Sequence, residues 1–182
     1  RLQKKLGFNT TYSVAVPQEI AEQYGLEKIS DLTPVAPELT FGAEQEFFTL
    51  EGSMKYGPFT EFYGLDFKAA VPVDAGLKYT AVENRSFDVT EVYATDGLNR
   101  KTGLKILEDD LHFFPEYNGA FLIREDTLER FSAAAPELEE VLDLLAGQIS
   151  NEDMTEMTYQ VDVLGRSADD VAREFLQSRG LL

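Results

Sequence analysis

The chain has 182 residues, enough for one large domain or two small lobes. Of these residues, 43% are hydrophobic and 12% are aromatic, which is sufficient for a buried core. Its formal net charge is −17, with 16 Lys and Arg against 33 Asp and Glu, which excludes nucleic-acid binding through a basic stripe and direct adhesion to an anionic membrane. The absence of cysteine excludes disulfides, zinc–thiolate sites and a cysteine nucleophile.

The first residues contain no signal peptide, and no apolar run approaches the length of a membrane span. Because a strand pattern begins almost at once, we expect the chain to be a segment of a longer protein. The first predicted strand is 11–16, which is rich in β-branched and aromatic residues. A helix is expected from Pro17 to a C-cap at Gly25, since proline suits a first helical position and glycine the residue after the last turn.

The rest of the chain continues to alternate between strand and helix patterns. Residues 52–64 hold three glycines, a proline and four aromatics, and are predicted to form a partly ordered surface insertion. A helix is expected over 74–84 with Asp74 as its N-cap. Further strands are predicted at 39–44, 67–73, 87–93, 104–109 and 120–125, and further helices with start signals at Asp126, Pro136, Ser150 and Ser167. This order indicates an α/β fold with a mostly parallel sheet.

Enzyme signatures are absent from the sequence: it has no P-loop, G-x-G-x-x-G, G-x-S-x-G or H-E-x-x-H pattern. The single histidine, His112, lies between apolar residues and is interpreted as structural. The acidic run 108–110 lacks the spacing of a Ca²⁺ loop, so a solvated strand end is favoured over a metal site. Glu44 and Glu46 follow a strand on alternate residues and are the only candidates for a catalytic base. We therefore predict no enzyme activity, no cofactor and no metal.

Three tyrosines lie where predicted strands or turns end, namely Tyr12, Tyr93 and Tyr117. Ligands of open α/β sheets bind outside the carboxyl ends of the strands, so rings at these points are placed to meet one. The negative face of a tyrosine ring attracts a cation, with about 0.5–2 kcal/mol for each contact. The alternative, for each ring taken alone, is ordinary packing with a solvated hydroxyl.

Five motifs occur in an order that resembles the substrate-binding proteins of osmoprotectant ABC importers, the glycine betaine, carnitine and choline binding family. They are GFNTTYSVAV, SDLTPVAPELTFGAEQEFF, VDAGLKYTAVENRSFDVTEVYATDG, LEDDLHFFPEYNGAFLIRED and MTYQVDVLGRSADDVAREFLQSRG. The resemblance spans essentially the whole chain. Members of the family carry a further stretch before this start, which forms the first half of lobe 1.

The resemblance implies a bilobal, periplasmic-binding-protein-like (type II) α/β fold with the ligand between two hinged lobes. Residues 1–15 and 96–182 are expected to form an incomplete lobe 1, and 16–95 to form lobe 2. The family holds a quaternary ammonium head in a box of tyrosines, and the matching positions here are Tyr12, Tyr93 and Tyr117. Thr10, Thr95 and Asp96 are expected as polar lining, with a helix cap at the hinge as the alternative for the last two.

The chain departs from the family where relatives often read F-F-x-R and use the arginine for the ligand's carboxylate. This chain has Leu50 there, and leucine cannot act as a carboxylate fork. Choline, carnitine or a betaine of a thiolated histidine (ergothioneine) is therefore as plausible as glycine betaine.

The expected partner is an ABC permease, and the expected location is extracytoplasmic: a cell-surface lipoprotein, a periplasmic protein or a domain fused to a permease. Two alternatives to a transport receptor stay open at the sequence level. One is an enzyme of the same shape that uses Glu44 or Glu46 as its base. The other is a bilobal sensor or regulatory module that reports ligand state without delivering solute.

Overall fold

Seven strands form two separate sheets in the computed structural model, which describes all residues from 1 to 182. The strands are β1 Leu2–Asn9, β2 Tyr12–Pro17, β3 Thr40–Glu44, β4 Ala69–Val73, β5 Val89–Tyr93, β6 Leu104–Leu107 and β7 Asn118–Leu122. Strands β1 and β7 make an antiparallel pair, and the other five form one sheet in the order β4-β3-β5-β2-β6.

Eight α-helices surround the sheets. They are α1 Gln18–Tyr24, α2 Tyr56–Tyr63, α3 Lys78–Glu83, α4 Gly97–Lys101, α5 Glu125–Phe131, α6 Leu138–Asp143, α7 Asn151–Thr158 and α8 Ala168–Ser178. A π-helical turn, Tyr159–Val163, continues α7, and 3₁₀ turns cover Ile29–Leu32, Ala36–Glu38, Gln45–Phe48 and Ala75–Leu77. None of the helices combines the length and the apolar character that crossing a bilayer requires.

The five-stranded sheet is mixed: four of its strands run in one direction, in line with the predicted mostly parallel sheet, and β2 runs in the opposite direction. Strand β3 pairs in parallel with β4 and β5, as expected for strands joined through helices α2 and α3. Strand β2 instead pairs antiparallel with both β5 and β6. Since β5 and β6 are both antiparallel to β2, β6 runs in the same direction as β3, β4 and β5, and only β2 is reversed.

The main core lies on the five-stranded sheet and contains 18 buried residues. Strand β2 contributes Val14 and Val16, and β3 contributes Phe41 and Ala43, all fully buried. The ring of Phe87 packs where β3 has a glycine: a Cβ added to Gly42 would lie 2.1 Å from Phe87 Cδ1. Glycine is therefore required at position 42 for this packing.

Residues 52–64 are not a surface insertion, which corrects the sequence prediction. They contain α2, and its residues Phe59 and Tyr63 are buried in the main core. Pro58 is tolerated because it lies in the first helical turn, where backbone N–H groups have no intrahelical acceptor. Gly64 ends the helix with a left-handed φ of 66°.

The start signals of the helices are only partly realised. Ser150 and Asp153 form a reciprocal capping box at α7, with Asp153 N–H donating to Ser150 Oγ at 3.1 Å. Ser167 occupies the N-cap of α8 without a side-chain hydrogen bond. Asp126 lies inside α5, so its predicted capping role is wrong: the N-cap is Arg124.

Strand β1 is not predicted from the sequence, because its segment LQKKLGFN has no β-branched residue to mark it as a strand. The five-stranded sheet also crosses both expected lobe boundaries. Strand β2 spans the boundary at 15/16, and β6 lies beyond the boundary at 95/96 although it pairs with β2. The chain passes between the two sheets at residues 9–12 and 107–118.

Candidate functional site

Two tyrosines meet where β2 begins and β5 ends. Tyr12 lies directly opposite Tyr93 across the antiparallel pair, so both rings leave the same face of the sheet. Their centroids are 5.0 Å apart with planes inclined by 26°, and the two hydroxyl oxygens are 3.4 Å apart. The register of one strand pair therefore builds a stacked aromatic wall.

Tyr12 is fixed from behind by the core. Its ring makes an edge contact with the ring of Phe47, with centroids 5.8 Å apart, and its centroid lies 6.3 Å from that of Phe114. Burial, reinforced by the hydrogen bond with Tyr93, raises the pKa of the Tyr12 hydroxyl well above its usual value. The ring is thus neutral at physiological pH and held in one orientation.

Tyr117 is placed by hydrogen bonds between two turns rather than by packing. Its N–H donates to Asn9 Oδ1 at 2.6 Å, and its carbonyl accepts from Thr10 N–H at 3.1 Å. Thr11 Oγ1 donates to the carbonyl of Pro115 at 2.7 Å. The backbone of Tyr117 is therefore fixed while its side chain is exposed.

The loop that carries Tyr117 is organised by Asp109. Its carboxylate accepts hydrogen bonds from the N–H groups of Phe113 at 3.0 Å and Phe114 at 2.8 Å, and from the Tyr63 hydroxyl. Phe114 is buried in the main core. The acidic run 108–110 thus has a structural role that the sequence pattern did not reveal. His112 is exposed and has a left-handed φ of 57°.

The three tyrosines line one cavity of about 390 Å³. They approach it from the start of β2, the end of β5 and the turn before β7. The nine lining residues are Thr10, Thr11, Tyr12, Gly52, Ser53, Met54, Lys55, Tyr93 and Tyr117. The structure therefore brings together all three tyrosines and one of the three polar residues expected from the sequence.

Thr95 and Asp96 do not line the cavity. Thr95 is buried behind it and donates from Oγ1 to Thr10 Oγ1 at 2.9 Å. Asp96 caps α4, accepting from Leu98 N–H at 2.9 Å and from the Tyr79 hydroxyl at 2.5 Å. For Asp96 the alternative reading, a helix cap, describes the observed contacts.

The loop 52–55 also lines the cavity, and none of its residues was predicted to do so from the sequence. It belongs to the segment 52–64, which was interpreted as a surface insertion because it holds three glycines, a proline and four aromatics. The first turn of α2 ties this loop to the core and brings Lys55 to the cavity. Lys55 is the only charged residue among the nine that line it. One sequence feature does indicate a packed helix here: Phe59 and Tyr63 lie four residues apart, the spacing of residues on one helix face.

A buried ionic cluster lies behind Tyr93. Lys78 Nζ is 2.9 Å from Glu44 Oε1, 3.5 Å from Glu91 Oε2 and 5.9 Å from the centroid of the Tyr93 ring. Lys78 and Glu91 are about 1% exposed. Burial raises the pKa of the Glu91 carboxyl, and the neighbouring ammonium opposes that rise. Glu44 is thus engaged in an ion pair with Lys78.

Comparison with known proteins identifies the family. The profile of the substrate binding domain of ABC-type glycine betaine transport systems matches residues 1–178. The ergothioneine transport permease/ergothioneine binding protein EgtU of Helicobacter pylori (strain G27) is 35% identical over 176 residues, covering 97% of this chain and 31% of that protein. The carnitine transport binding protein OpuCC of Listeria monocytogenes is 37% identical over 171 residues, covering 94% of this chain and 54% of that protein.

A solved structure agrees with this likeness. The crystal structure described as a glycine betaine/carnitine/choline ABC transporter superimposes with a TM-score of 0.86 at 32% identity, covering 99% of this chain and 64% of that one. This confirms the predicted periplasmic-binding-protein-like α/β fold. The chain spans about half or less of the length of the two curated relatives. It belongs to the family of substrate-binding domains of ABC-type glycine betaine transport systems, a family of binding domains rather than of enzymes.

Proposed function

We propose that this chain is the ligand-binding part of an ABC importer's solute receptor and that it binds a quaternary ammonium compatible solute. One observation carries the proposal: Tyr12, Tyr93 and Tyr117 line the same cavity, with two of the rings stacked. A trimethylammonium group cannot donate a conventional N–H hydrogen bond, so aromatic faces are its natural partners. Each contact contributes about 0.5–2 kcal/mol, more as water is excluded.

The ligand site belongs between two lobes in this proposal. Thr10 and Tyr117 flank the ends of the β1–β7 pair, whereas Tyr12 and Tyr93 belong to the five-stranded sheet. The cavity thus draws its walls from both sheets. We place the two crossovers at 9–12 and 107–118, where the chain changes sheet, rather than at the boundaries expected from the sequence. Closure of one sheet onto the other would exclude water from the tyrosines and strengthen their hold on a cation.

The proposed partner is a membrane permease that recognises the closed form, and the proposed location is extracytoplasmic. The family assignment supports both. The relative from Helicobacter pylori is named as a permease and a binding protein together, which favours a fused arrangement as one form this chain could take. The candidate solutes are glycine betaine, carnitine, choline and ergothioneine.

Calorimetry with glycine betaine, carnitine, choline, proline betaine and ergothioneine tests the proposal. We expect saturable binding of at least one. The matched control for choline is 3,3-dimethylbutan-1-ol, which has the same shape with a neutral carbon in place of nitrogen, and it should bind at least tenfold more weakly because cation–π attraction requires the charge. Failure of all five amines to bind would refute the quaternary-amine function.

A further inference from the structure

The residues that line the cavity differ in chemistry. Three of them are the tyrosines Tyr12, Tyr93 and Tyr117, and four others form the loop 52–55, which ends at Lys55. None of the other eight lining residues carries a formal charge at neutral pH. The cavity therefore combines rings that attract a cation with one fixed positive charge that attracts an anion.

The ammonium of Lys55 is only weakly paired within the protein. Its nearest carboxylate oxygen is Glu46 Oε1 at 3.9 Å, and the Glu46 side chain is 83% exposed, whereas that of Lys55 is 15% exposed. A contact of 3.9 Å is too long for a strong hydrogen bond, and water screens the exposed Glu46 carboxylate. Lys78 differs, since it is completely covered and held at 2.9 Å by Glu44. Lys55 thus has the capacity to bind an anion that enters the cavity.

No other residue nearby can take that role. Leu50 is fully exposed and does not line the cavity. The threonines at 10 and 11 offer hydroxyl groups but no charge. A partly covered ammonium loses hydration, and a carboxylate in the cavity would restore a charge-assisted hydrogen bond.

We propose that Lys55 binds the carboxylate of a zwitterionic betaine whose quaternary head lies against the tyrosines, and that it thereby selects betaines over choline. The inference rests on the proposed function and names the ligand class within it. A ligand with only a positive charge is repelled by Lys55 and offers its ammonium no anionic group. A betaine offers a cation to the tyrosine rings and a carboxylate to Lys55.

Calorimetry with glycine betaine and choline, on the wild type and on three variants, tests this selection. Lys55→Met keeps an unbranched side chain, one atom shorter, and removes the charge; it should weaken glycine betaine binding about 10- to 100-fold and leave choline binding equal or tighter. Lys55→Arg should retain betaine binding. Lys68→Met, which removes an exposed charge outside the cavity, is the matched control and should change neither affinity.

The outcomes separate the inference from the proposed function. Equal weakening of both ligands by Lys55→Met, or unchanged betaine binding, would overturn the role of Lys55 and leave the tyrosine site intact. Absence of binding of either ligand to the wild type, together with carnitine and ergothioneine, would instead overturn the proposed function itself. Thermal unfolding of each variant without ligand shows whether it is folded. If Lys55→Met is unstable, the two wild-type affinities still decide, because choline binding as tightly as glycine betaine would overturn the proposed selection.

Discussion

The stacked pair of Tyr12 and Tyr93 shows how much a single register position determines. The two residues are cross-strand partners at the start of β2 and the end of β5, so a slip of one residue would turn one ring to the opposite face of the sheet. Tyr12 is locked by Phe47 and Phe114, while Tyr93 keeps 41% of its surface exposed. Tyr93 and Tyr117 are therefore the rings with the most surface available to a ligand.

The ring face rather than the hydroxyl is predicted to hold the ligand. Tyr93→Ala or Tyr117→Ala should weaken binding of glycine betaine about 3- to 30-fold, whereas the matched Tyr→Phe variants should stay within about 3-fold, because phenylalanine retains the aromatic face. Isothermal titration calorimetry measures the difference. Equal losses for Ala and Phe would show that the hydroxyl group, and not the ring, makes the contact.

The buried carboxyl of Glu91 is predicted to make the stability of the protein depend on pH. Its pKa is raised by burial, so the folded state holds the proton more tightly than the unfolded state, whose value is near 4.5. Its contribution to stability is therefore full below about pH 4.5 and is lost as the pH rises through the folded-state pKa. We expect the free energy of unfolding of the wild type minus that of Glu91→Gln to decrease between pH 4 and pH 7.

Urea titrations at a series of pH values measure that difference. Glu61→Gln, which removes an exposed carboxylate from α2, separates the effect of burial from the change in net charge. A difference that stays constant or grows with pH would contradict the raised pKa. Lys78 and Glu44 face Glu91 in the same cluster, so their charges are kept unchanged in both variants.

Part of the site could be predicted from the sequence, and the rest could not. The positions of Tyr12, Tyr93 and Tyr117 at the ends of strands or turns are local features, which sequence patterns reveal, and the resemblance of motifs assigned all three rings to a ligand. The position of Lys55 at the cavity was not predicted, because it depends on a contact between distant parts of the chain. The helix that follows Lys55 packs Phe59 onto the sheet. Asp96 was assigned to the lining although its carboxylate caps α4 and binds Tyr79. A side chain near a site in sequence can face away from it.

Helix α2 connects core packing to the cavity, because its first turn follows the loop 52–55 directly. Phe59 is completely buried, and its ring centroid lies 5.8 Å from that of Phe114 and 6.1 Å from that of Phe41. Phe62, one residue before Tyr63 on the same helix, is 51% exposed. The two phenylalanines provide a matched comparison of a core face with a surface face.

Phe59→Ala should lower the free energy of unfolding by about 3–5 kcal/mol, because it removes a buried ring and leaves a cavity. Phe62→Ala should cost about 1 kcal/mol or less, since half of its ring is already in water. Chemical denaturation followed by circular dichroism measures both. Similar losses for the two variants would contradict the assignment of α2 to the core and restore the reading of 52–64 as a surface insertion.

At the scale of the whole molecule, local patterns predicted most elements but not how they pair. The strand patterns at 11–16, 39–44, 67–73, 87–93 and 104–109 each found a strand of the main sheet. Alternation of apolar residues shows that a segment is a strand; it does not determine which neighbour it has or its direction. The antiparallel pairing of β2 with β5 and β6 is set by chain reversals at long range.

The net charge of the whole chain and the lining of the cavity both favour a ligand that carries a positive charge. The net charge of −17 raises the local concentration of cations near the surface and steers them toward clefts. Within the cleft, the rings and Lys55 orient a ligand that has both signs of charge. The overall field thus favours encounter, while the cavity determines the orientation.

The most direct test of the central claim is a crystal structure of the protein with arsenobetaine, in which arsenic replaces the quaternary nitrogen of glycine betaine. Anomalous scattering locates the arsenic without reference to the rest of the density. We predict a single strong peak within about 6 Å of the ring centroids of Tyr93 and Tyr117, with the carboxylate directed at Lys55. An arsenic peak outside this cavity, or on the side of the loop 52–55 away from the tyrosines, would contradict the account.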